Sequence, residues 1–329
     1  MAQATPTGRF RVVVVGSANV DLEVRVPRWP DPGESVVVST SERFPGGKGA
    51  NQAIAAAKAG GVATALISAW GADADGALLE SFVREAGVDT SAVRAVDCPT
   101  GMAIVMVDPL GANVITVVAG ANSRVELAPK DLEMIATSRV VLTQLEVPVP
   151  TVVKAAQAAR AAGAIFVLNA APMVEIPAEL LANVDVLVVS QHGARELAAQ
   201  HFGMYPSDDG PLLSALQRLV PSIVMTKGAE GSVVAQAGQD PEVVHALPVE
   251  PVDHTGAGDT FNGVLAARLS QGAALGEAAR AATAAASISL NRPGAGPSIP
   301  TAREVARALA TGQVPPIDHP DNPSNKDHS

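Results

Sequence analysis

Apolar runs too short for helices recur along this chain, at Arg11–Gly16, Ala63–Ser68, Val140–Leu145, Ala164–Asn169, Val184–Ser190 and Ser222–Thr226. A run of this kind without polar alternation has to be covered on both faces, which is the setting of a central strand in a parallel sheet. Between the runs lie Ala-rich stretches of helical spacing, at Asn51–Ala59, Ala77–Ala86, Pro150–Ala162, Gly210–Val220 and Glu277–Ser289, two of them closed by Gly60 and Gly163. The expected fold is α/β, a doubly wound, mostly parallel sheet flanked by helices. Residues 18–42 and 100–120 break this rhythm. They alternate as strands do, in Val24, Val26, Val36, Val38 and in Met102, Ile104, Met106, with Pro and Gly turns and no helix. The expectation is a small separate β-sheet, a lid over the strand ends where open α/β sheets bind ligands. One domain is expected over residues 1–312, with a disordered tail at 313–329 whose His319 and His328 are solvated.

A formal charge of −10 argues against a nucleic-acid partner, which demands a basic face. Any anionic ligand must be held locally, by backbone dipoles, a metal or a few lysines. A lone cysteine, Cys98, excludes an internal disulfide framework and fits a reducing cytoplasm. No run approaches the roughly 20 apolar residues of a membrane span, and residues 1–11 have no apolar core that would mark export, so a cytoplasmic protein with no membrane partner is expected.

The stretch Pro-Val-Asp-His-Thr-Gly-Ala-Gly-Asp-Thr-Phe-Asn-Gly at 251–263 carries the chemistry. Residues 242–248 read as a strand, and Phe261, Val264, Leu265 and Leu269 fall at helical spacing, which places Gly256, Ala257 and Gly258 at a strand-to-helix turn. Unpaired N–H groups and the positive end of the helix dipole make an anion hole there, and small side chains let a phosphate approach. Asp259, one step inside, faces the same space. A carboxylate beside a phosphate site suits a base that takes a proton from an attacking hydroxyl. The plainer reading is a Gly-rich turn capped by an aspartate.

A second glycine-rich segment, Phe44-Pro45-Gly46-Gly47-Lys48-Gly49-Ala50-Asn51-Gln52, is not a Walker phosphate loop, since Glu42 and Gly49 stand where that motif needs Gly and Ser or Thr. Glycines before a helix let a small polyhydroxylated ligand lie against backbone N–H groups, with Asn51 offering donor and acceptor, which favours a sugar. After the first strand, residues 16–21 lack the second glycine of a dinucleotide fingerprint. Asn19 and Asp21 remain as polar groups at a strand end, hydroxyl ligands or turn residues.

Gly-Gly-Lys-Gly-Ala-Asn at 46–51 together with Asp-His-Thr-Gly-Ala-Gly-Asp at 253–259 resembles the two signatures of the phosphofructokinase B (ribokinase-like) family of carbohydrate kinases, a likeness that extends from about Val12 to Pro300. Segments 16–21, 113–122, 143–146 and 169–172 point, within the family, to the members that phosphorylate ribose. The resemblance implies ATP-dependent phosphorylation of a sugar hydroxymethyl group, ribose favoured, with fructose, another sugar or a nucleoside as alternatives. It implies that Asn19, Asp21, Gly46, Gly47, Asn51 and Glu146 hold sugar hydroxyls, that Asp259 is the base, and that Gly256, Ala257 and Gly258 stabilise the transferring phosphoryl group. ATP phosphates would meet Gln191 and the turn at Thr226, Gly228 and Gly231, a turn that by itself reads equally well as a hairpin. The family's adenine contacts fall near Thr283 and Ala286, a stretch too Ala-rich for its chemistry to assign the pocket, which stays open. Asp253, Thr255 and Ser298, with the loop 291–298, resemble the family's potassium site. The lid is implied to pair subunits into a homodimer. One departure stands out: the family's Asn-x-x-Glu, which organises magnesium, is here Gln191-His192-Gly193-Ala194, with Glu196 two residues on. That loss keeps a catalytically weak sugar- or nucleotide-binding relative in view.

Overall fold

Four valines, Val12–Val15, form the first strand, β1, and all four are fully buried. Val12 and Val14 enter one core cluster and Val13 and Val15 the other, so the two-residue period of a strand distributes one run between two hydrophobic layers. The computed structural model describes residues 10–38, 40–109 and 113–316; the expected tail lies outside them from residue 317 on, as do His319 and His328.

Among the described residues nine strands build the main sheet: β1, β4 (Thr64–Gly71), β5 (Asp89–Val96), β8 (Val140–Thr143), β9 (Ile165–Asn169), β10 (Val186–Ser190), β11 (Ser222–Thr226), β12 (Ser232–Gln236) and β13 (Glu242–Val244). Their order is β13-β12-β11-β10-β9-β8-β1-β4-β5, parallel except for the antiparallel edge β11-β12-β13. Four more form a second sheet in the order β3-β2-β6-β7, from β2 (Asn19–Arg25), β3 (Ser41–Gly46), β6 (Gly101–Val107) and β7 (Asn113–Val118). This is the expected lid, drawn from the two segments that broke the helical rhythm.

The helices that matter to the site are α1 (Lys48–Ile54), α6 (Gln191–Phe202), α7 (Asp209–Leu216), α8 (Ala257–Ser270), α9 (Leu275–Ser289) and α10 (Ala302–Thr311). The remaining helices, α2 (Ala74–Glu85), α3 (Pro129–Ala136), α4 (Val149–Ala162) and α5 (Ala178–Leu181), complete the two outer layers. A π-helical turn, Ala55–Ala59, continues α1, and both pack on α8, where Gly263 comes so close to Gln52 and Ala55 that a Cβ at 263 would lie 2.5 Å from the Ala55 Cβ. Gly163 closes α4 in the left-handed conformation, φ 70°, but Gly60 stays right-handed at φ −79°. The left-handed residue at this helix end is Gly61, one position later, at φ 68°.

Two strands were not legible as apolar runs. β5 carries Asp89, Ser91 and Arg94 and lies at the sheet edge, half covered; β12 pairs back on β11 through a short turn. The strand expected over 242–248 stops at Val244, and the chain runs irregularly to α8. Pro248 and Pro251 cannot donate to a ladder, and both instead line a cavity.

β1 leads to β4 on one side while β8 lies on its other side, so the order of the sheet reverses at β1 and β8. Their carboxyl ends open a crevice at this switch point, where an α/β sheet binds ligands.

Candidate active site

The turn between β3 and α1 is dictated by close packing. Gly46 pairs with Asn19 across the lid ladder, and a Cβ there would stand 2.5 Å from the Asp21 carboxylate. Gly47 has φ 92°, a left-handed backbone, and its Cβ would meet the Asn19 nitrogen at 2.5 Å. Gly49 lies against the backbone of Gly16 and Ser17, with Ala50 N donating to Ser17 O at 2.9 Å. This seating turns the first turn of α1 inward, so that Asn51 and Gln52 are buried at the crevice.

Asn51 bonds Asp259, Asp21 and Glu146 lie close enough to act on its charge, and Gly46 and Gly47 adjoin Asp21 and Asn19. Asn51 Nδ2 donates to Asp259 Oδ2 at 3.1 Å, and Gln52 Nε2 donates to Oδ1 at 2.9 Å. Glu146 accepts from Ser17 Oγ at 2.5 Å and from the Lys48 backbone N–H at 3.3 Å, and its other oxygen lies 3.7 Å from Lys48 Nζ. Asn122 Nδ2 donates to Asn19 Oδ1 at 2.6 Å and orients it. Asn19, Asn122 and Glu146 line a cavity of about 340 Å³ together with Pro148 and Pro172.

Three carboxylates share this space with one ammonium. Burial, then Glu146 and Asp259, push Asp21 up to about 7 despite Lys48. Burial also raises Asp259, and Glu146 adds to it, while Lys48, Gln52 and Asn51 oppose the rise. For Lys48, burial favours the neutral form, but Asp259, Glu146 and Asp21 together outweigh it and hold the amine charged. A half-buried cation beside a half-buried base is suited to balance charge during transfer of an anionic group.

Gly256 begins α8 at φ 75°, and Ala257 and Gly258 open its first turn. The first N–H groups of a helix have no intrahelical acceptor, and Ala257 N reaches the His254 carbonyl only at 3.5 Å. Ala257 and Gly258 border a cavity of about 580 Å³ that is also lined by Thr226, Gly228, Gly231, Leu247, Val249, Thr283, Ala286 and Leu290. Thr226, Gly228 and Gly231 therefore belong to a turn that is both a hairpin connection and a cavity wall. The mostly apolar far end suits a flat heterocycle, and the N–H groups of α8 suit phosphate.

Asp253 accepts from Thr255 N at 2.9 Å, Thr255 Oγ1 at 2.7 Å and Gly294 N at 2.7 Å. Burial would raise it, but the bonds from Thr255 and Gly294 more than offset that and hold it below the usual carboxylate range. Ser298 is buried and bonds the Ala295 carbonyl at 2.7 Å, so it lies in the same loop without touching Asp253 in the bonding pattern. Carboxylate, hydroxyl and carbonyl oxygens make a donor set that fits a hard cation. The loop is anchored further by Arg292 to Glu304 on α10 and by Lys58 to the Ile299 carbonyl at 2.6 Å.

Gln191, expected at the phosphates, instead donates to Asp209 Oδ1 at 2.7 Å, and Asp209 Oδ2 pairs with Lys227 at 3.1 Å. Ala194 is fully buried in the core, and Glu196 lies 3.2 Å from the exposed His192. Sequence reasoning overlooked Gln52, Lys48 and Asn169. The first two sit inside the quoted glycine motif, and the third is a polar residue closing an apolar strand, a signal that marks strand ends facing a crevice.

Comparison with known proteins gives a consistent result. The model of the pfkB family of carbohydrate kinases matches residues 9–302. The ribokinase of Haemophilus influenzae is 35% identical over 308 residues, covering 92% of this chain and 99% of that protein. A structure of Arabidopsis thaliana ribokinase complexed with ribose and ATP superposes with a TM-score of 0.84 at 33% identity, over 91% of this chain and 98% of that one. A nucleoside kinase of Methanocaldococcus jannaschii shares the fold, with a TM-score of 0.79 at 19% identity.

Proposed function

The chain belongs to the pfkB family of carbohydrate kinases, and we propose that it transfers the γ-phosphoryl group of ATP to the hydroxymethyl group of D-ribose. The observation that carries this reading is the placement of α8: its first residues border the 580 Å³ cavity, while the next side chain, Asp259, turns into the polar cluster with Asn51 and Gln52. A donor nucleotide in the cavity and an acceptor hydroxyl in the cluster would meet at one helix turn. Asn19, Asp21, Gly46, Gly47, Asn51 and Glu146 would hold the sugar, and Asp259 would take the hydroxyl proton as oxygen attacks phosphorus. The first N–H groups of α8 and Lys48 would stabilise the charge gathering on the phosphoryl oxygens.

Magnesium would arrive with ATP and neutralise its phosphates. Asp253, Thr255, Ser298 and carbonyls of 291–298 would hold potassium, whose charge steadies the loop beside Gly256. The reading includes a single kinase domain, a homodimer and a cytoplasmic site of action. The half-exposed Val114, Ile115, Val117 and Val118 on the lid's edge strand support pairing through β7. No described helix is long and apolar enough to cross a membrane.

A coupled ADP-release assay over a panel of sugars and nucleosides, with magnesium and potassium, tests the assignment. Ribose should give the highest kcat/KM. A clear preference for fructose or adenosine retires ribose and spares the kinase. The second reading, a catalytically weak binder, is favoured by the buried Ala194, which supplies no carboxylate where the family has one. Sugar or nucleotide binding without turnover on any acceptor would establish it.

A further inference from the structure

Asp259 is oriented by amides of α1 rather than by its own helix, and one of these amides is itself locked. Gln52 is fully buried. Its Oε1 accepts from Gln144 Nε2 at 2.6 Å, while its own Nε2 donates to Asp259 Oδ1 at 2.9 Å and to Asn169 Oδ1 at 3.1 Å. Both amide protons and the carbonyl oxygen are thus engaged. The Asp259 carboxylate, which only accepts, draws the NH₂ toward itself, and the bond from Gln144, whose own Oε1 is buried without a hydrogen bond, agrees with that facing. A flipped Gln52 would set its oxygen against two acceptors and its NH₂ against a donor. The chain Gln144→Gln52→Asp259 begins just past β8, with Asn169 at the end of β9 bracing it, so the sheet's switch point reaches the proposed base through one side chain.

We infer that Gln52, fixed by Gln144, is a positioning residue for phosphoryl transfer, holding the Asp259 carboxylate in the orientation from which it accepts the sugar proton. The inference rests on Asp259 being the base. Lys48 on α1, Asp21 on β2 and Glu146 beyond β8 also face Asp259. Unlike these charged groups, Gln52 is a neutral donor: it favours the carboxylate form without adding a cation that would compete for the phosphates. Asn51 supports the other oxygen but has no locking partner, since its Oδ1 is buried without a hydrogen bond.

The test compares Gln52→Met, Gln144→Met, the double variant and Asp259→Asn, each by kcat, sugar KM, pH profile and urea unfolding. Gln52→Met should lower kcat by about 10- to 100-fold, the worth of one hydrogen bond to a charged group, leave sugar KM nearly unchanged, and move the acid limb of the rate profile to higher pH. Gln144→Met should act in the same direction and less. The double variant should be no worse than Gln52→Met, because Gln144 acts only through Gln52. Additive losses, a change in KM alone or an unmoved acid limb would overturn the inference. If Gln52→Met fails to fold, the acid limb of Gln144→Met decides. Wild-type turnover in Asp259→Asn removes the base itself; an inactive Asp259→Asn beside a wild-type-like Gln52→Met removes only the positioning role.

Discussion

At Gly46, Gly47 and Gly49 a Cβ would meet the protein itself, whether the Asp21 carboxylate, the Asn19 nitrogen or the backbone of Gly16, each at 2.5 Å, whereas at Gly258 it would meet nothing within 4 Å. Both turns are glycine-rich, both precede a helix, and both serve Asp259. In the first, absent side chains let lid strand, sheet and helix touch, and that contact delivers Lys48, Asn51 and Gln52 to the site. In the second, Gly256 is needed for its left-handed backbone and its seat on Ala295, and Gly258 leaves open space before helix N–H groups. A run of glycines thus has two uses that composition alone does not separate, close packing and ligand access.

The largest effect should come from breaking the first turn. Gly47→Ala combines a backbone at φ 92° with a contact to the lid, and should cost about 2–4 kcal/mol in urea unfolding while weakening sugar and ATP use together. Wild-type stability in this variant would show that the loop yields and that packing is not its purpose. Gly258→Ala should behave oppositely. Its unfolding midpoint should stay unchanged, yet the methyl group would stand where the phosphates approach, lowering kcat/KM for ATP by about 10- to 100-fold. Sugar affinity should be untouched. A Gly258→Ala enzyme with normal ATP kinetics would mean that the phosphates lie elsewhere.

How much of this was legible follows the same division. The sheet and lid were readable because burial on both faces and alternation leave different patterns, as in Val12–Val15 against Met102, Ile104 and Met106. β5 was missed because an edge strand carries polar residues and resembles a loop. In the site, Asp259, Asn51 and Glu146 lie in motifs, but the Gln144–Gln52–Asp259 chain joins residues 92 and 207 positions apart, a link that only the fold makes. The seating of Gln191 on Asp209, in place of the cavity lining, likewise depends on where α7 packs against α6. Spacing along a chain carries no record of that.

A smaller effect should separate the two turns by ion dependence. Gly256 rests on Ala295, with a Cβ-to-Cα approach of 2.7 Å, so ordering of the 291–298 loop bears on the second turn and not on the first. Potassium should raise kcat above the values in sodium or lithium at constant ionic strength, with no change in sugar KM. Equal rates in all three salts would leave the loop a structural brace held by Asp253, Arg292 and Lys58.

The smallest effect concerns Asp21, whose carboxylate occupies the place that a Gly46 side chain would need. Its ordinary value of 3.8 is pushed up to about 7 by burial and then by Glu146 and Asp259. A carboxyl whose folded value is raised stabilises the fold fully below its unfolded value, and that contribution is lost as pH rises through the folded one. Asp21→Asn removes the ionisation and with it this loss. Its melting temperature should therefore exceed that of the wild type by a few degrees at pH 8, and the gap should narrow as pH falls from about 7 toward about 4. Sugar KM should rise in the same variant, because the acceptor offered to a hydroxyl is weaker. A gap that is constant with pH would mean that Asp21 sits in the first turn as packing, like the glycine beside it. A narrowing gap with a raised sugar KM would mark it as the point where the packed turn touches the ligand.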